Sequence, residues 1–365
     1  MLPLRKLLRL SPTVLALHYQ QLIRALDCRL YHHGISKDEN VDDSGHKFRN
    51  SSENAECHFQ LHKSRGQHLL TSARVLDSIV KNSNIKSTDT VLEIGPGTGN
   101  LTLRLLEAAT SVVAVEIDWR MAEALEKRVA ECGFKDRLTL IRNDAMKTEF
   151  PHFDLVVANI PYGISSPLIA KLLFRCSSFR SATLLLQKEF AHRLLANPGD
   201  SEFNRLAVNV KLVADVEHIM DVSKRDFFPV PKVDSSVVLI RPKMDIPNVD
   251  LKEWCAFTRT CFSKKNKTLG ATFKQKKKLA ELMRISSMMG STNLTSLGIG
   301  MSLFKDKVVE ILRSNGFEDK RPSKLSIEEL LHLLSLLNQH KIYFHDKKED
   351  ADKDDLETIS LLLQE

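Results

Sequence analysis

The run Glu93-Ile94-Gly95-Pro96-Gly97-Thr98-Gly99 follows a short apolar stretch and is the first place where this 365-residue chain could hold a ligand. Glycines at 95, 97 and 99 allow a tight turn and let backbone approach a ligand where a Cβ would collide. The spelling is not the dinucleotide fingerprint, because the third glycine comes one residue early and Pro96 sits inside the turn. Nor does the run end in the Gly-Lys-Ser/Thr of a phosphate loop. A tight structural turn is the competing reading of the glycines alone. Glu116 closes the next apolar run, 21 residues beyond Gly95. A carboxylate there can accept both hydroxyls of a ribose, or simply sit solvated at a strand end. Taken together, the two features favour a nucleoside ligand. Asp144 ends a third run and can either accept a hydrogen bond from an adenine exocyclic amine or cap a helix.

A fourth run, 153–158, delivers Asn159-Ile160-Pro161-Tyr162. Asn is out of place in a strand interior, and Pro161 has no N–H to give to a sheet ladder. The backbone there is free to present carbonyls. The Asn159 Oδ1 and an adjacent carbonyl could hold an exocyclic amine, while the Tyr162 ring offers a stacking face for a base. No His/Asp pair or activated thiol accompanies this run, so nucleophilic catalysis is not indicated.

The elements that must position these residues alternate. Strands are expected at 90–95, 111–118, 138–144, 153–161, 181–187 and 235–243, with another around 216–222. Helices are expected at 100–109, 119–133, 166–175 and 188–197. Strands separated by helices of this length imply an α/β fold with an open, mostly parallel sheet covered on both faces. Beyond 245 the periodic stretches 251–262, 279–284 and 327–339 predict a mostly helical region.

At this level the chain resembles the rRNA adenine N6,N6-dimethyltransferase family, closer in wording to its eukaryotic branch. The match rests on KSRGQHLL (63–70), LEIGPGTGNLT (92–102), NIPY (159–162) and FFPVPKVDSSVV (227–238). LLLQKEFAHRLLANPGD (184–200), NRL (204–206) and FSKKNKTL (262–269) also look like the family. The resemblance covers about residues 58–335. It implies a class I S-adenosylmethionine-dependent methyltransferase, Rossmann-like, with a small helical C-terminal domain. It places cofactor contacts on Gln67, His68, Leu70, Gly95, Gly97, Glu116, Asp144 and Asn159. His68 stands where bacterial members usually carry asparagine, which loosens the role of its side chain but not of the segment. The implied base pocket comprises Asn159, Pro161 and Tyr162, with Phe227 on the opposite ring face. The implied reaction is N6,N6-dimethylation of two adjacent adenosines in the 3′-terminal hairpin of small-subunit rRNA, on the RNA or on a precursor of the small ribosomal subunit, by a monomer. A competing reading on the same fold is a non-catalytic ribosome-assembly or mitochondrial transcription factor. The intact cofactor and base motifs disfavour it.

Charge is placed unevenly along the chain. Residues 259–278 carry eight basic side chains and no acid, which suits RNA phosphates; Lys264, Lys265 and Lys267 are the expected contacts. Residues 1–37 carry six basic residues against Asp27 and are leucine-rich, the pattern of an organellar presequence. Mitochondrial matrix import is therefore expected, with a nuclear or nucleolar basic arm as the alternative. Residues 38–58 read as polar linker, 59–245 as catalytic domain, 246–340 as helical RNA-binding domain and 341–365 as acidic tail. The six cysteines form no C-x-x-C pair, so neither a disulfide scaffold nor a structural metal is expected. No apolar run is long enough for membrane insertion.

Overall fold

The chain enters its fold through a two-residue strand, β1 (Leu69–Leu70), and a helix, α1 (Ala73–Asn82), before reaching the central sheet. The computed structural model describes residues 68–176, 179–288 and 299–345, all within the unit Gln60–Glu365. The expected leader (1–37), linker (38–58), residue Gln67 and positions 346–365 of the acidic tail lie outside the described residues.

Five parallel strands make the body of the sheet: β2 (Thr90–Ile94), β3 (Ser111–Val115), β4 (Leu138–Ile141), β5 (Leu155–Asn159) and β6 (Ala182–Gln187). β7 (Ala214–Val222) and β9 (Ser235–Pro242) extend it antiparallel, giving the order β4-β3-β2-β5-β6-β9-β7. The direction of strand addition reverses between β2 and β5. Such a switch point opens a crevice beyond the strand ends, where ligands bind in sheets of this kind.

Alternation along each strand fills both faces. Val91, Val112, Ala114, Leu155 and Val157 point toward α1, α2 (Asn100–Ala108) and α3 (Trp119–Glu131). Leu92, Val113, Val115, Val156 and Ala158 point the other way, toward α4 (Ser165–Arg175), α5 (Lys188–Leu195) and α6 (Arg205–Val213). The sequence pattern does not reveal α6, because nearly every residue of it is buried and no polar stripe marks its helical period. β3, β4 and β5 are also shorter than expected. Glu116, Asp144 and Pro161 consequently lie on loops just past the strand ends.

The C-terminal region is α7 (Leu251–Cys261), α8 (Leu269–Phe273), α9 (Lys276–Met288), α10 (Ile299–Ser314) and α11 (Ile327–Gln339). Trp254 and Phe257 of α7 and Phe273 of α8 are fully buried and belong to the same hydrophobic cluster as Leu92 and Val156 of the sheet. Side chains of this size contribute about 1.5–3 kcal/mol each on burial. One continuous apolar cluster thus joins sheet and helices. α11 starts with a capping box in which Ser326 and Glu329 satisfy each other's backbone N–H.

Candidate functional site

The glycine turn after β2 closes over a cavity of about 260 Å³ at the switch point, lined on one side by Glu116, Ile117 and Asp144 and on the other by His68, Asn159 and Tyr162. Gly95, Gly97 and Gly99 all adopt positive φ (68°, 58° and 92°). All three positions are also crowded: a Cβ on Gly99 would lie 2.6 Å from Leu125. A Cβ on Gly95 would lie 3.2 Å from the Pro161 ring, and one on Gly97 would lie 2.7 Å from Leu69. The turn is pinned from outside: Arg128 donates to the Thr98 carbonyl at 3.2 Å and to Asn100 Oδ1 at 2.7 Å. Asn100 in turn donates to the Leu70 carbonyl at 2.9 Å.

Glu116 is buried to 7% exposure, and its carboxylate accepts the backbone N–H of Gly97 at 3.1 Å and of Asp118 at 2.9 Å. Burial pushes this carboxyl up, with those backbone amides pulling against it. The Ile117 N–H also hydrogen-bonds this carboxylate, and only the acceptor capacity left over from the three amides can serve a ligand hydroxyl. Glu93, at the end of β2, was not singled out by the sequence. It is 1% exposed, lines the same cavity, and its Oε2 has no hydrogen-bond partner. Burial pushes it up to about 8, Thr102 opposing and the nearby Glu116 adding to the push. Burial thus favours the protonated form of this acid beside Glu116.

Asp144 sits in a turn whose shape is set by a buried lysine. Lys171 of α4 donates to the carbonyls of Ala145, Met146 and Thr148 and lies 4.4 Å over the Phe150 ring. Burial pushes its ammonium down. Asp144 Oδ1 accepts from the Met146 N–H at 2.9 Å, so half of the carboxylate shapes the turn and half remains available.

The base side is assembled from three distant segments. Asn159 Nδ2 donates to the His68 carbonyl at 3.3 Å, which fixes the amide and leaves Oδ1 as the free acceptor. Tyr162 is anchored by its hydroxyl to Ser235 Oγ at 2.7 Å. His68 Nδ1 pairs with the Pro229 carbonyl at 2.7 Å, and its ring lies nearly parallel to Tyr162. β1 pairs antiparallel with β8 (Phe227–Phe228), Leu70 opposite Phe227 and Leu69 opposite Phe228, and this ribbon carries His68 to the cavity. Thr71 extends it, its N–H reaching the Asp226 carbonyl at 2.9 Å. Phe227 is 2% exposed and packs in the core, so the structure does not bring its ring to the cavity lining. The exposed ring of the pair is Phe228.

Of the expected RNA contacts, Lys264 and Lys267 are exposed, whereas Lys265 is half-buried and donates to the Ser201 carbonyl at 2.9 Å. The segment is held where Gly270 meets the backbone of Glu318, its N–H donating to that carbonyl at 2.9 Å.

A doubly covered parallel sheet with an antiparallel extension, a glycine turn at the switch point and an acid beyond the next strand define a class I methyltransferase. Residues 58–302 match the model of the ribosomal RNA adenine dimethylase family, and the chain belongs to that family. It is 64% identical over 308 residues to an Arabidopsis thaliana protein named "Ribosomal RNA small subunit methyltransferase, mitochondrial", covering 78% of this chain and 81% of the relative. Its structure is similar to that of a dimethyladenosine transferase from Plasmodium falciparum, with a TM-score of 0.69 and 40% identity over 76% of this chain and all of the other. The fold is also that of the 23S rRNA methyltransferase ErmE, at a TM-score of 0.53 and 24% identity over 74% of this chain and all of the other.

The methyl donor of this family is S-adenosylmethionine, and the residues present fit it. The glycine turn is crowded at every Cβ position, and the Glu116 carboxylate lines the cavity beside it. Ile117, an apolar side chain 73% exposed beside Glu116, offers a face for the adenine ring.

Proposed function

We propose that this chain dimethylates N6 of two adjacent adenosines in the 3′-terminal hairpin of small-subunit rRNA. The observation that carries this reading is the convergence of two sites in one cavity. The Asn159-Ile160-Pro161-Tyr162 corner touches the glycine turn, with Gly95 against the Pro161 ring and the Asn159 carbonyl. A ligand held by Glu116 and a base held by Asn159 would then share one space.

When bound, the cofactor supplies an electrophilic methyl group. The chain's residues orient the acceptor. Asn159 Oδ1 and the neighbouring main-chain carbonyl of Ile160 would accept the two N6 protons, directing the nitrogen lone pair and favouring its rehybridisation. Hydrogen bonds that strengthen as the nitrogen gains positive character lower the barrier to transfer. Pro161 keeps this corner free of a competing N–H. Tyr162 supplies a fixed stacking face because Ser235 holds its hydroxyl. The proton can leave after transfer, so no general base is assigned. A base inside a hairpin must first leave its stack to reach the cavity.

Lys264 and Lys267 are read as phosphate contacts, Lys265 as the residue tying the segment to Ser201, and the region after about 245 as the RNA-facing part of the molecule. Action in the mitochondrial matrix is supported by the composition of residues 1–37 and by the name of the Arabidopsis relative. The protein is read as acting alone on the rRNA or on a small-subunit precursor. Incubating the purified chain with labelled S-adenosylmethionine and the hairpin RNA tests the reading: label should appear in N6,N6-dimethyladenosine after nuclease digestion. Label in another nucleoside, or none, would refute it.

A further inference from the structure

Residues 259–278 carry eight basic side chains, and the fold itself supplies partners for several of them. Lys265 donates to the Ser201 carbonyl, Lys274 pairs with Glu318 at 2.7 Å and Lys278 with Glu281 at 3.2 Å. Lys276 and Lys277 are exposed, and among the described residues no acid pairs with either. They open α9, whose first turn holds three consecutive lysines and no acid. Cations in a first turn face the positive end of the helix dipole, so the helix gains nothing from having them there.

The chain returns to this place at its C-terminal side. Ile342 is fully buried, and the Phe344 ring lies edge-on to Phe257 and Phe273, with centroids 5.1 and 6.1 Å away. The buried Glu253 carboxylate accepts the Phe344 N–H at 3.0 Å and the His345 N–H at 2.7 Å. The Tyr343 N–H donates to Ser286 of α9 at 3.1 Å. His345 is thus fixed beside the basic helix, and the acidic segment starts there. Positions 346–365, outside the described residues, carry eight acids against three bases. From Ser286 back to Lys277 is about 14 Å along the helix. About four or five extended residues cover that span, which brings Glu349, Asp350, Asp352, Asp354 and Asp355 within reach of both lysines.

We propose that the acidic segment 346–365 docks on Lys276 and Lys277 and competes there with RNA phosphates, so that this face opens to RNA only when the segment is displaced. The tether makes a modest attraction sufficient. A short tether gives an effective concentration of about 1 mM, so an intrinsic dissociation constant of about 0.1 mM fills the face about nine-tenths of the time. RNA then meets a competent face about one-tenth of the time, and its apparent affinity falls about tenfold. This inference rests on the RNA-methyltransferase reading and adds to it a competitor carried by the same chain.

The test follows binding of the labelled hairpin RNA by fluorescence anisotropy as salt is raised. Two variants remove the charge of the segment: truncation after His345, and the full-length chain carrying D350N, D352N, D354N and D355N together. Both should bind RNA about tenfold more tightly than wild type at low salt, with the advantage shrinking as added salt screens the acids from the lysines. In a K276A/K277A background the same charge removal should change RNA affinity by no more than about twofold, because the two sets of side chains act through one contact. Calorimetric affinity for free S-adenosylmethionine should be equal throughout, which reports that each variant is folded. Equal RNA affinity of wild type and both variants at low salt would overturn the proposal. So would a gain that survives in full in K276A/K277A, or one that does not shrink with salt. If the wild-type chain transfers no methyl group to adenine, the methyltransferase reading fails, and the binding data still decide the competition.

Discussion

The two halves of the cavity are built by opposite strategies. The cofactor half is made of consecutive strand ends: the glycine turn, Glu116 and Asp144 follow β2, β3 and β4 in order, and the turns are pinned by Asn100 of α2, Arg128 of α3 and Lys171 of α4. The base half draws on residues 68, 159–162 and 227–235, brought together by a two-residue ribbon and a few side-chain bonds. Local construction gives the first half rigidity. Construction from distant segments gives the second half dependence on several weak contacts, and lets changes in one segment reach the other.

That contrast ranks the consequences of mutation. The largest expected effect is on the base side. Asn159→Ala should reduce single-turnover methyl transfer by at least about 10²-fold with cofactor saturating, because the lost hydrogen bond is worth most in the transition state. Cofactor affinity measured alongside should change little; equal turnover in variant and wild type would remove Asn159 from the acceptor site.

On the cofactor side, Glu116→Ala should weaken S-adenosylmethionine binding by about 1.5–3 kcal/mol, the range for a charged hydrogen-bonding group. The substitution also strips the Gly97 and Asp118 N–H groups of their acceptor, so a lower melting temperature should accompany the weaker titration.

Glu93 separates the halves by pH. Its folded pKa of about 8 lies above the ordinary 4.5, so between these values the folded state holds a proton that the unfolded chain has released. Its contribution to stability is therefore full below about 4.5 and lost as pH rises through about 8. Urea midpoints should fall across this window, and E93Q should flatten the slope. A pH dependence identical in E93Q and wild type would show that Glu93 does not titrate there.

The smallest effect belongs to the surface. Replacing Lys264 and Lys267 together should flatten the dependence of RNA affinity on salt by roughly 0.7–0.9 in log–log slope for each lost phosphate contact. Because Lys265 already donates to Ser201, changing it should affect the loop more than the slope. An unchanged slope in the double variant would place both lysines away from the RNA.

The cofactor half was legible in the sequence because each of its parts is local. Glycine spacing and an acid at a fixed distance report backbone demands that neighbours in the chain impose; in the base half only the Asn-Ile-Pro-Tyr corner after an apolar run does the same. Glu93 escaped because a polar residue inside a strand does not reveal which face it takes; only the packing of α2 over β2 buries it. Phe227 and Phe228 show the same limit. Successive residues of a strand point to opposite sides, so only one ring of the pair can enter the core, and the register against Leu69–Leu70 decides which. Pairing across more than 150 residues leaves no local trace. The position of the His68 ring over Tyr162 depends on that pairing and was equally hidden. α6 was missed for a different reason, its burial on nearly every side.

The most direct test of the central claim is mass spectrometry of nuclease digests of the small-subunit rRNA hairpin, taken separately from mitochondria and cytosol of cells lacking this protein. N6,N6-dimethyladenosine should disappear from the mitochondrial hairpin, persist in the cytosolic one, and return when the wild-type chain, but not its Asn159→Ala form, is restored. Unchanged dimethyladenosine in both pools would contradict that claim.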